Sequence, residues 1–290
     1  MSTPSSRYRP DAPADYSHRF HAGNVGDVWK HCVLIAVLER MAALSPRVSY
    51  LDTHAGEGDY GLGPTGEWAE GLGRLWTGQG EGNDLVARYL SLCRKLGAGG
   101  DRPTRYPGSP AFARAVLGPR ATLALWDTDE RAAARLSAYV GAGETTRVTC
   151  GDGLRALDDE VRTAEAVGDP VVALVDPPFV QKADWIAVPD VVVRAASRSE
   201  RATILLWYPV KSLTRPNAMI LRLKAAGVSG TIAELVTTPL EYQRRRLNGS
   251  GMLLVRPPAG VLEEVAAAAP VLGARCATRA HAWSFRMASW

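Results

Sequence analysis

The chain has 290 residues, of which 46% are hydrophobic and 22% are charged, and its net charge is +4. These values exclude a disordered or fibrous chain and fit one large α/β domain or two small ones. The mild positive charge is compatible with a polyanionic partner and equally with an ordinary basic surface. The four cysteines form no CxxC pair and no apolar run could span a bilayer, so we expect reduced thiols, a cytoplasmic location and no membrane segment.

The N-terminal segment is polar and rich in proline. Residues 1–14 are predicted to form a disordered leader, and they lack the apolar run of a signal peptide. In the following "HAGNVGDVWKH", a helix is expected to begin at Asn24 or Gly26. His18 and His21 have a spacing that would suit a metal, but no third ligand lies nearby in the sequence. We therefore predict no metal site, and capping and hydrogen bonding remain the alternative role for the histidines of this segment.

Short apolar runs follow one another along the rest of the chain and predict the strands. They are "RVSYLD", "ATLALWD", "TRVTCGD", "VVALVD", "ATILLWYP", "TIAELVTT" and "SGMLLVRP", and the first four end at Asp52, Asp127, Asp152 and Asp176. Helical segments rich in alanine, arginine and leucine separate them, which indicates a parallel sheet covered on both faces. Ligands bind at the carboxyl ends of such strands, so we expect the four acids to line one edge. Each acid alone could equally be a loop carboxylate or a helix cap.

One connection is much longer than the others. The acids after the later strands recur at the interval of a βα unit, but the step from Asp52 to Asp127 is far longer. Residues 57–106 contain two or three helical segments joined by glycines, and we predict that they form a small helical insertion subdomain. The core of the protein would then comprise residues 15–56 and 107–290.

A glycine-rich loop follows the first predicted strand. Gly56, Gly58 and Gly61 satisfy the pattern GxGxxG, but a dinucleotide site requires a helix to open at the third glycine. The segment Leu62–Gly66 contains two glycines and a proline and cannot begin a regular helix. The loop therefore favours S-adenosylmethionine, whose methionine end needs a close approach of the backbone, over a nicotinamide cofactor.

The remaining cofactor contacts are predicted from the later strand ends. Ser109 and Pro110 in "YPGSPAFARAVL" are expected at the N-cap and first position of a helix whose free amides suit a carboxylate; Ser109 could also serve only as a cap. Asp127 can accept both ribose hydroxyls. Asp152 can accept from the adenine amine while the backbone of Gly153 passes close by.

The segment "DPPF" after the fourth predicted strand carries the chemistry. Proline at position 177 holds Asp176 in an extended conformation, so its carboxylate and the Pro177 carbonyl form a rigid pair of acceptors. Such a pair binds both protons of an amine on a flat ring, and Phe179 can stack on that ring. The amine lone pair is thereby freed to attack a methyl group in line. The alternative is a proline-stiffened turn with a buried phenylalanine.

These residues resemble a known family. The segments "YSHRFHAGNVGDVWKH", "YLDTHAGEGDYGLG", "YPGSP", "DPPF", "LWYPV" and "GSGM" are similar to the RlmJ family of 23S ribosomal RNA adenine-N6 methyltransferases, from Tyr16 to about Met252. The resemblance implies a Rossmann-like class I S-adenosylmethionine-dependent methyltransferase sheet with a helical insertion. In this family the aromatic residue of the motif is tyrosine, whereas this chain has Phe179, which keeps stacking but loses the hydroxyl. We expect that change to affect target affinity more than chemistry.

The resemblance also assigns roles to individual residues. It implies that Asp176 is catalytic and that Tyr16 contacts the target adenosine. It also implies that Lys30 and His18 assist in binding this adenosine. Pro177 and Phe179 join them as predicted substrate contacts. The predicted cofactor contacts are His31, His54, Ser109, Asp127, Asp152, Gly153 and Asp176.

The expected partner is 23S ribosomal RNA or its assembly intermediate, bound by a monomer. Arg244–Arg246 could contact phosphate or form a solvated basic turn. Trp207–Pro209 could flank the pocket of a flipped adenine, and Trp207 could equally be a core residue. Two other functions remain open at this stage: an adenine methyltransferase acting on another RNA or on DNA, and a non-catalytic RNA-binding protein of the same fold.

Overall fold

A computed structural model describes residues 18–78, 82–97, 100–141, 143–242 and 247–290. Three sequence predictions concern residues outside these ranges: the leader over residues 1–14, Tyr16, and the basic segment Arg244–Arg246. His18 is described by its backbone only, at the first position of a short helix.

Eight strands of the described chain form one mixed sheet with the order β10-β8-β9-β7-β6-β1-β4-β5. Five neighbouring strands, from β5 to β7 in that order, are parallel, while β9 and β10 run antiparallel to their partners. The α/β fold class and all seven predicted strands are confirmed; β10 was not predicted. The strands are β1 (Ser49–Asp52), β4 (Thr122–Asp127), β5 (Thr146–Cys150), β6 (Val171–Val175), β7 (Ala202–Val210), β8 (Thr231–Val236), β9 (Gly249–Val255) and β10 (Ser284–Ser289).

Helices cover both faces of this sheet because its central strands present apolar side chains in both directions. Along β6, Val172 and Leu174 face one apolar cluster, whereas Val171, Ala173 and Val175 face the other. The first cluster includes residues of α2 (Val25–Leu44), α4 (Asp84–Gly97), α5 (Ser109–Leu117) and α10 (Val261–Cys276). The second includes residues of α7 (Gly153–Val167), α8 (Asp184–Arg198) and α9 (Thr214–Ala225). The remaining helices are α1 (His18–His21), α3 (Leu72–Trp76) and α6 (Glu130–Val140).

Helix α2 is the most deeply buried of these helices. Its N-cap is Asn24, as the sequence suggested, and the Asn24 side chain accepts a hydrogen bond from the Asp27 amide at 3.0 Å. From Val33 to Leu38 every residue is fully buried, because apolar side chains surround the helix. This burial brings Lys30 and His31, which lie one turn earlier, into the interior beside the sheet.

The described part of residues 57–106 forms two short strands and helices between β1 and α5. Strand β2 (Asp59–Gly61) pairs antiparallel with β3 (Arg105–Pro107), and a 3-10 turn at Glu67–Ala69, α3 and α4 lie between these two strands in the chain. Leu72, Leu85 and other buried side chains of this region join the same apolar cluster as α2. The region therefore packs against the core.

Two absences concern the described residues alone. None of their helices has both the length and the apolarity that a membrane span requires. The same residues contain no group of three histidine, cysteine, aspartate or glutamate side chains placed to bind a metal ion.

Candidate active site

The four acids that follow the first parallel strands lie at one edge of the sheet. Strands β6, β1, β4 and β5 are neighbours in that order and run parallel, so their carboxyl ends coincide. The loop after β1 is hydrogen-bonded to the ends of both neighbouring strands. The Thr53 amide donates to the Leu174 carbonyl on β6, and the Ala55 amide donates to the Trp126 carbonyl on β4. The edge is the place at which a doubly wound sheet binds its ligand.

The glycine loop after β1 adopts a conformation that depends on its glycines. Gly56 and Gly58 have φ of 63° and 79°, and a Cβ on Gly56 would lie 1.9 Å from the Tyr60 hydroxyl oxygen. The Gly56 amide donates to Asp127 Oδ2 at 2.9 Å. Gly61 lies in β2 and no helix begins there, which excludes the dinucleotide arrangement as the sequence predicted.

Asp52, at the end of β1, organises the start of α5. Its carboxylate is fully buried and accepts from the Tyr50 hydroxyl at 2.8 Å and the Ser109 hydroxyl at 2.7 Å. Ser109 was expected at the N-cap of α5, and this was wrong: the N-cap is Gly108, and the Ser109 hydroxyl is directed to Asp52 instead. At the start of α5, Pro110 has no N–H and the Ala111 and Phe112 amides donate to the Gly108 carbonyl at 3.1 and 3.2 Å. The Ser109 amide is therefore the one at this helix end that could meet a carboxylate ligand.

The carboxylates of Asp127 and Asp152 both accept hydrogen bonds from backbone amides. Asp127 Oδ1 accepts from the Asp129 amide at 2.8 Å, and Asp152 Oδ1 caps α7 by accepting from the Leu154 amide at 3.0 Å. A Cβ on Gly153 would lie 2.4 Å from the Thr53 carbonyl oxygen, so only glycine allows this contact between the two loops. The capping and ligand-binding interpretations are compatible, because each carboxylate oxygen can accept more than one hydrogen bond.

His31 and His54 differ in environment. His31 Nδ1 is 2.7 Å from the Tyr106 hydroxyl, and burial lowers the pKa of the ring to about 3, so the imidazole is neutral. In the described structure its buried Nε2 has no hydrogen-bond partner, which is rare for a buried polar atom and fits a ligand contact. His54 Nδ1 pairs with the Thr53 hydroxyl at 2.8 Å.

Asp176 is paired with a lysine from α2. Lys30 Nζ is 2.5 Å from Asp176 Oδ2 and 2.8 Å from Asp27 Oδ1, so one ammonium is shared by two carboxylates. The Lys30 ammonium is also 6.0 Å from the Trp207 ring centroid. Burial raises the pKa of Asp176 to about 7 although Lys30 acts in the opposite direction. At neutral pH the carboxyl group is thus poised to exchange a proton.

The aromatic residues near Asp176 differ in their placement. Phe179 is 6% exposed, has a φ of 48°, and its ring centroid is 4.4 Å from that of Trp185. Stacking of Phe179 on a base stays a prediction. Tyr208 lies in the core rather than at a pocket, because its hydroxyl donates to buried Glu234 at 2.7 Å. Trp207 is half-buried.

Asp27 and Tyr106 belong to this site and were not predicted. Asp27 stands three residues before Lys30 on α2, a spacing that places two charged side chains on one helix face. That signal was readable from the sequence. Tyr106 gave no such signal, because its contact with His31 joins positions 75 residues apart.

Comparison with known proteins identifies the family of this chain. A profile of the family described as "Ribosomal RNA large subunit methyltransferase D, RlmJ" matches residues 45–288. The chain belongs to the RlmJ family. The resemblance seen in the sequence is thereby confirmed.

Two relatives that match over most of their length support the assignment to this family. Ribosomal RNA large subunit methyltransferase J of Haemophilus influenzae is 32% identical over 249 residues, covering 84% of this chain and 87% of the relative. The protein of the same name from Escherichia coli is 32% identical over 252 residues with the same coverage. A crystal structure of a Legionella pneumophila protein superimposes with a TM-score of 0.82 at 23% identity, over 93% of this chain and 98% of the other, and confirms the fold.

Proposed function

We propose that this RlmJ family member transfers a methyl group from S-adenosylmethionine to the exocyclic N6 of an adenosine in 23S ribosomal RNA. The observation that carries the proposal is the position of Asp176. Its carboxylate directly follows β6, beside the glycine loop, and the next residue is a buried proline. Membership of the RlmJ family, whose named relatives are ribosomal RNA methyltransferases, favours this substrate over DNA.

The cofactor site is proposed from residues around the glycine loop. When bound, S-adenosylmethionine supplies a methyl group activated by a positively charged sulfur. The Ser109 amide at the start of α5 and the unpaired Nε2 of neutral His31 suit its carboxylate. Asp127 and Asp152 provide acceptors for hydroxyl and amine groups, and Gly153 allows the backbone to approach. His54 and Ser109 complete the proposed set.

Asp176 would bind and orient the amine of the target base. Its carboxylate and the Pro177 carbonyl accept the two N6 protons, which weakens the delocalisation of the nitrogen lone pair into the ring. The lone pair forms the new N–C bond, and the electron pair of the broken S–C bond stays on sulfur. One N6 proton then passes to Asp176 Oδ2, whose pKa near 7 suits uptake at neutral pH.

The rest of the substrate site is proposed from the resemblance. An adenine inside a helical RNA must be flipped out before its amine can reach a buried carboxylate. Tyr16 and His18 would meet the flipped base, Phe179 would support its ring, and Lys30 would steady Asp176. We also propose a core of residues 15–56 and 107–290 and an insertion subdomain of residues 57–106. The enzyme would act as a cytoplasmic monomer on 23S ribosomal RNA or an assembly intermediate.

The direct test is transfer of a labelled methyl group to RNA from a strain that lacks the modification. Wild-type protein should label 23S ribosomal RNA, and digestion followed by mass spectrometry should recover the label as N6-methyladenosine. Asp176→Asn, which preserves shape and removes the proton acceptor, should transfer roughly a thousandfold more slowly or less. Asp190→Asn, which removes an exposed carboxylate paired with Arg222, is the matched control and should match wild type. Label on another base, or full activity of Asp176→Asn, would refute the proposal.

A further inference from the structure

Lys30 is held by two carboxylates that have different surroundings. Asp176 Oδ2 approaches its ammonium at 2.5 Å from the end of β6, and Asp27 Oδ1 approaches at 2.8 Å from the same helix face. The Lys30 side chain is 10% exposed, and those of Asp176 and Asp27 are 16% and 22% exposed. Two partly buried carboxylates thus share one buried ammonium.

The present arrangement places Lys30 at the oxygen that the proposed reaction uses. One N6 proton would pass to Asp176 Oδ2, and Lys30 Nζ already lies 2.5 Å from that oxygen. Moving a buried ammonium away from its only counter-ion is strongly unfavourable. Here the ammonium has a second partner, since Asp27 Oδ1 lies 2.8 Å from Lys30 Nζ.

We propose that Asp27 is a positioning residue for methyl transfer: it retains the Lys30 ammonium when the target adenine enters, and so releases the Asp176 carboxylate to bind the adenine amine. This inference rests on the proposed function. It assigns Asp27 an action through Lys30, without contact with the reacting atoms.

The charges around the cluster support this division of roles. Lys30 lowers the pKa of Asp27 despite burial, so Asp27 stays ionised as a permanent partner, whereas the pKa of Asp176 is raised. The other titratable groups that act on the cluster include His31 on α2, which is neutral, and Asp52 on β1, which is bonded to Tyr50 and Ser109. Tyr50, Tyr60 and Tyr106 also interact with it, and burial raises the pKa of each, so that all three are neutral. The negative charge of Asp27 itself acts on Asp176 and raises its pKa.

Asp27 also has a structural contact that the test must separate from its charge. Its Oδ2 accepts from the Gly23 amide at 2.9 Å, beside the Asn24 cap of α2. Asp27→Asn keeps an acceptor oxygen for that amide and removes the charge. Asn24→Ala removes a cap bond of the same helix end and keeps the charge, so it is the matched structural control.

The first measurement needs neither cofactor nor RNA. In protein with ¹³C-labelled aspartate, the Asp176 carboxyl signal is identified by its absence from Asp176→Asn and titrated by NMR. We expect a midpoint near 7 in wild type. In Asp27→Asn it should fall by about one pH unit, because a like charge is lost and Lys30 pairs with Asp176 alone. Asn24→Ala should leave it unchanged. A midpoint in Asp27→Asn equal to or above that of wild type would overturn the proposal.

The second measurement is the kinetics of ribosomal RNA methylation. In Asp27→Asn, kcat should fall roughly tenfold or more while KM for RNA changes less than about threefold, since the defect lies in arranging bound groups. The acid limb of kcat should move to lower pH, and Asp27→Glu should restore part of the loss. An unchanged kcat overturns the proposal.

If wild type itself methylates no ribosomal RNA, the proposed function fails, while the titration still decides whether Asp27 and Asp176 share Lys30. Should Asp27→Asn not fold, Asp27→Ser removes the same charge and keeps a hydroxyl acceptor.

Discussion

His31 shows how burial fixes the chemical state of a single residue. Its ring packs beside those of Tyr106 and Phe112 in the interior, and burial lowers its pKa to about 3. An imidazole in this state can donate or accept one hydrogen bond at Nε2 but carries no charge at neutral pH. A cofactor carboxylate at this position would therefore be recognised by hydrogen bonding to His31 and not by an ion pair.

Neutral His31 should make the fold sensitive to acid. A histidine in an unfolded chain has a pKa of about 6.5. Below that pH, His31 therefore binds a proton in the unfolded chain but not in the folded state. The stabilisation is complete above about pH 6.5 and is lost as the pH falls toward 3. At pH 5 the loss should be about 2 kcal/mol relative to pH 7.5. Asp176 acts oppositely, because its raised pKa lets the folded state bind a proton first as the pH falls below about 7.

The two contributions are separated by a comparison of variants. His31→Gln keeps a polar partner for Tyr106 and removes the titrating ring. Urea denaturation of wild type and His31→Gln at pH 7.5 and pH 5 should show that the variant lacks about 2 kcal/mol of the acid destabilisation. Identical pH dependence in both proteins would show that His31 is protonated in the folded state.

At the scale of elements, the loop after β1 is shaped by the contact between Gly56 and Tyr60. The Tyr60 hydroxyl accepts from the Glu57 amide at 3.1 Å and occupies the space that a Cβ on Gly56 would take. Gly56→Ala should destabilise the fold by about 2 kcal/mol through this clash and through its positive φ. Gly61→Ala is the control, because a Cβ there meets nothing within 4 Å.

A double-mutant cycle isolates the clash. Tyr60→Phe removes the hydroxyl oxygen and should cost about 1 kcal/mol for the lost hydrogen bond. The cost of Gly56→Ala should then be about 1 kcal/mol smaller in the Tyr60→Phe background than in wild type, by denaturation in urea. Additive costs would mean that the loop relaxes away from Tyr60.

The sequence predicted the elements better than the contacts between them. Central strands such as Val171–Val175 are buried on both faces and read as continuous apolar runs that stop at an acid. Strand β10 escaped prediction because this edge strand has mostly exposed or half-exposed residues and no apolar run. The Ser109 hydroxyl was assigned to its own helix, whereas it bonds Asp52 57 residues away, and no local pattern reveals such a partner.

At the scale of the whole molecule, the net charge of +4 predicts salt-dependent binding of RNA. Contacts with phosphates release counterions, so binding weakens as salt rises. With a few such contacts, KM for 23S ribosomal RNA should increase roughly tenfold or more between 50 and 200 mM salt. Calorimetric affinity for S-adenosylmethionine should change less than about twofold. A KM that is independent of salt would exclude phosphate contacts as a main source of affinity.

The central claim is that Asp176 moves out of contact with Lys30 and binds the adenine amine. A crystal structure with a bisubstrate analogue, in which N6 of adenosine is linked to the cofactor at the position of the transferred methyl group, measures this directly. We predict N6 within about 3 Å of an Asp176 carboxylate oxygen, with Lys30 retained by Asp27. An adenine bound elsewhere, with Asp176 still paired to Lys30, would contradict the account.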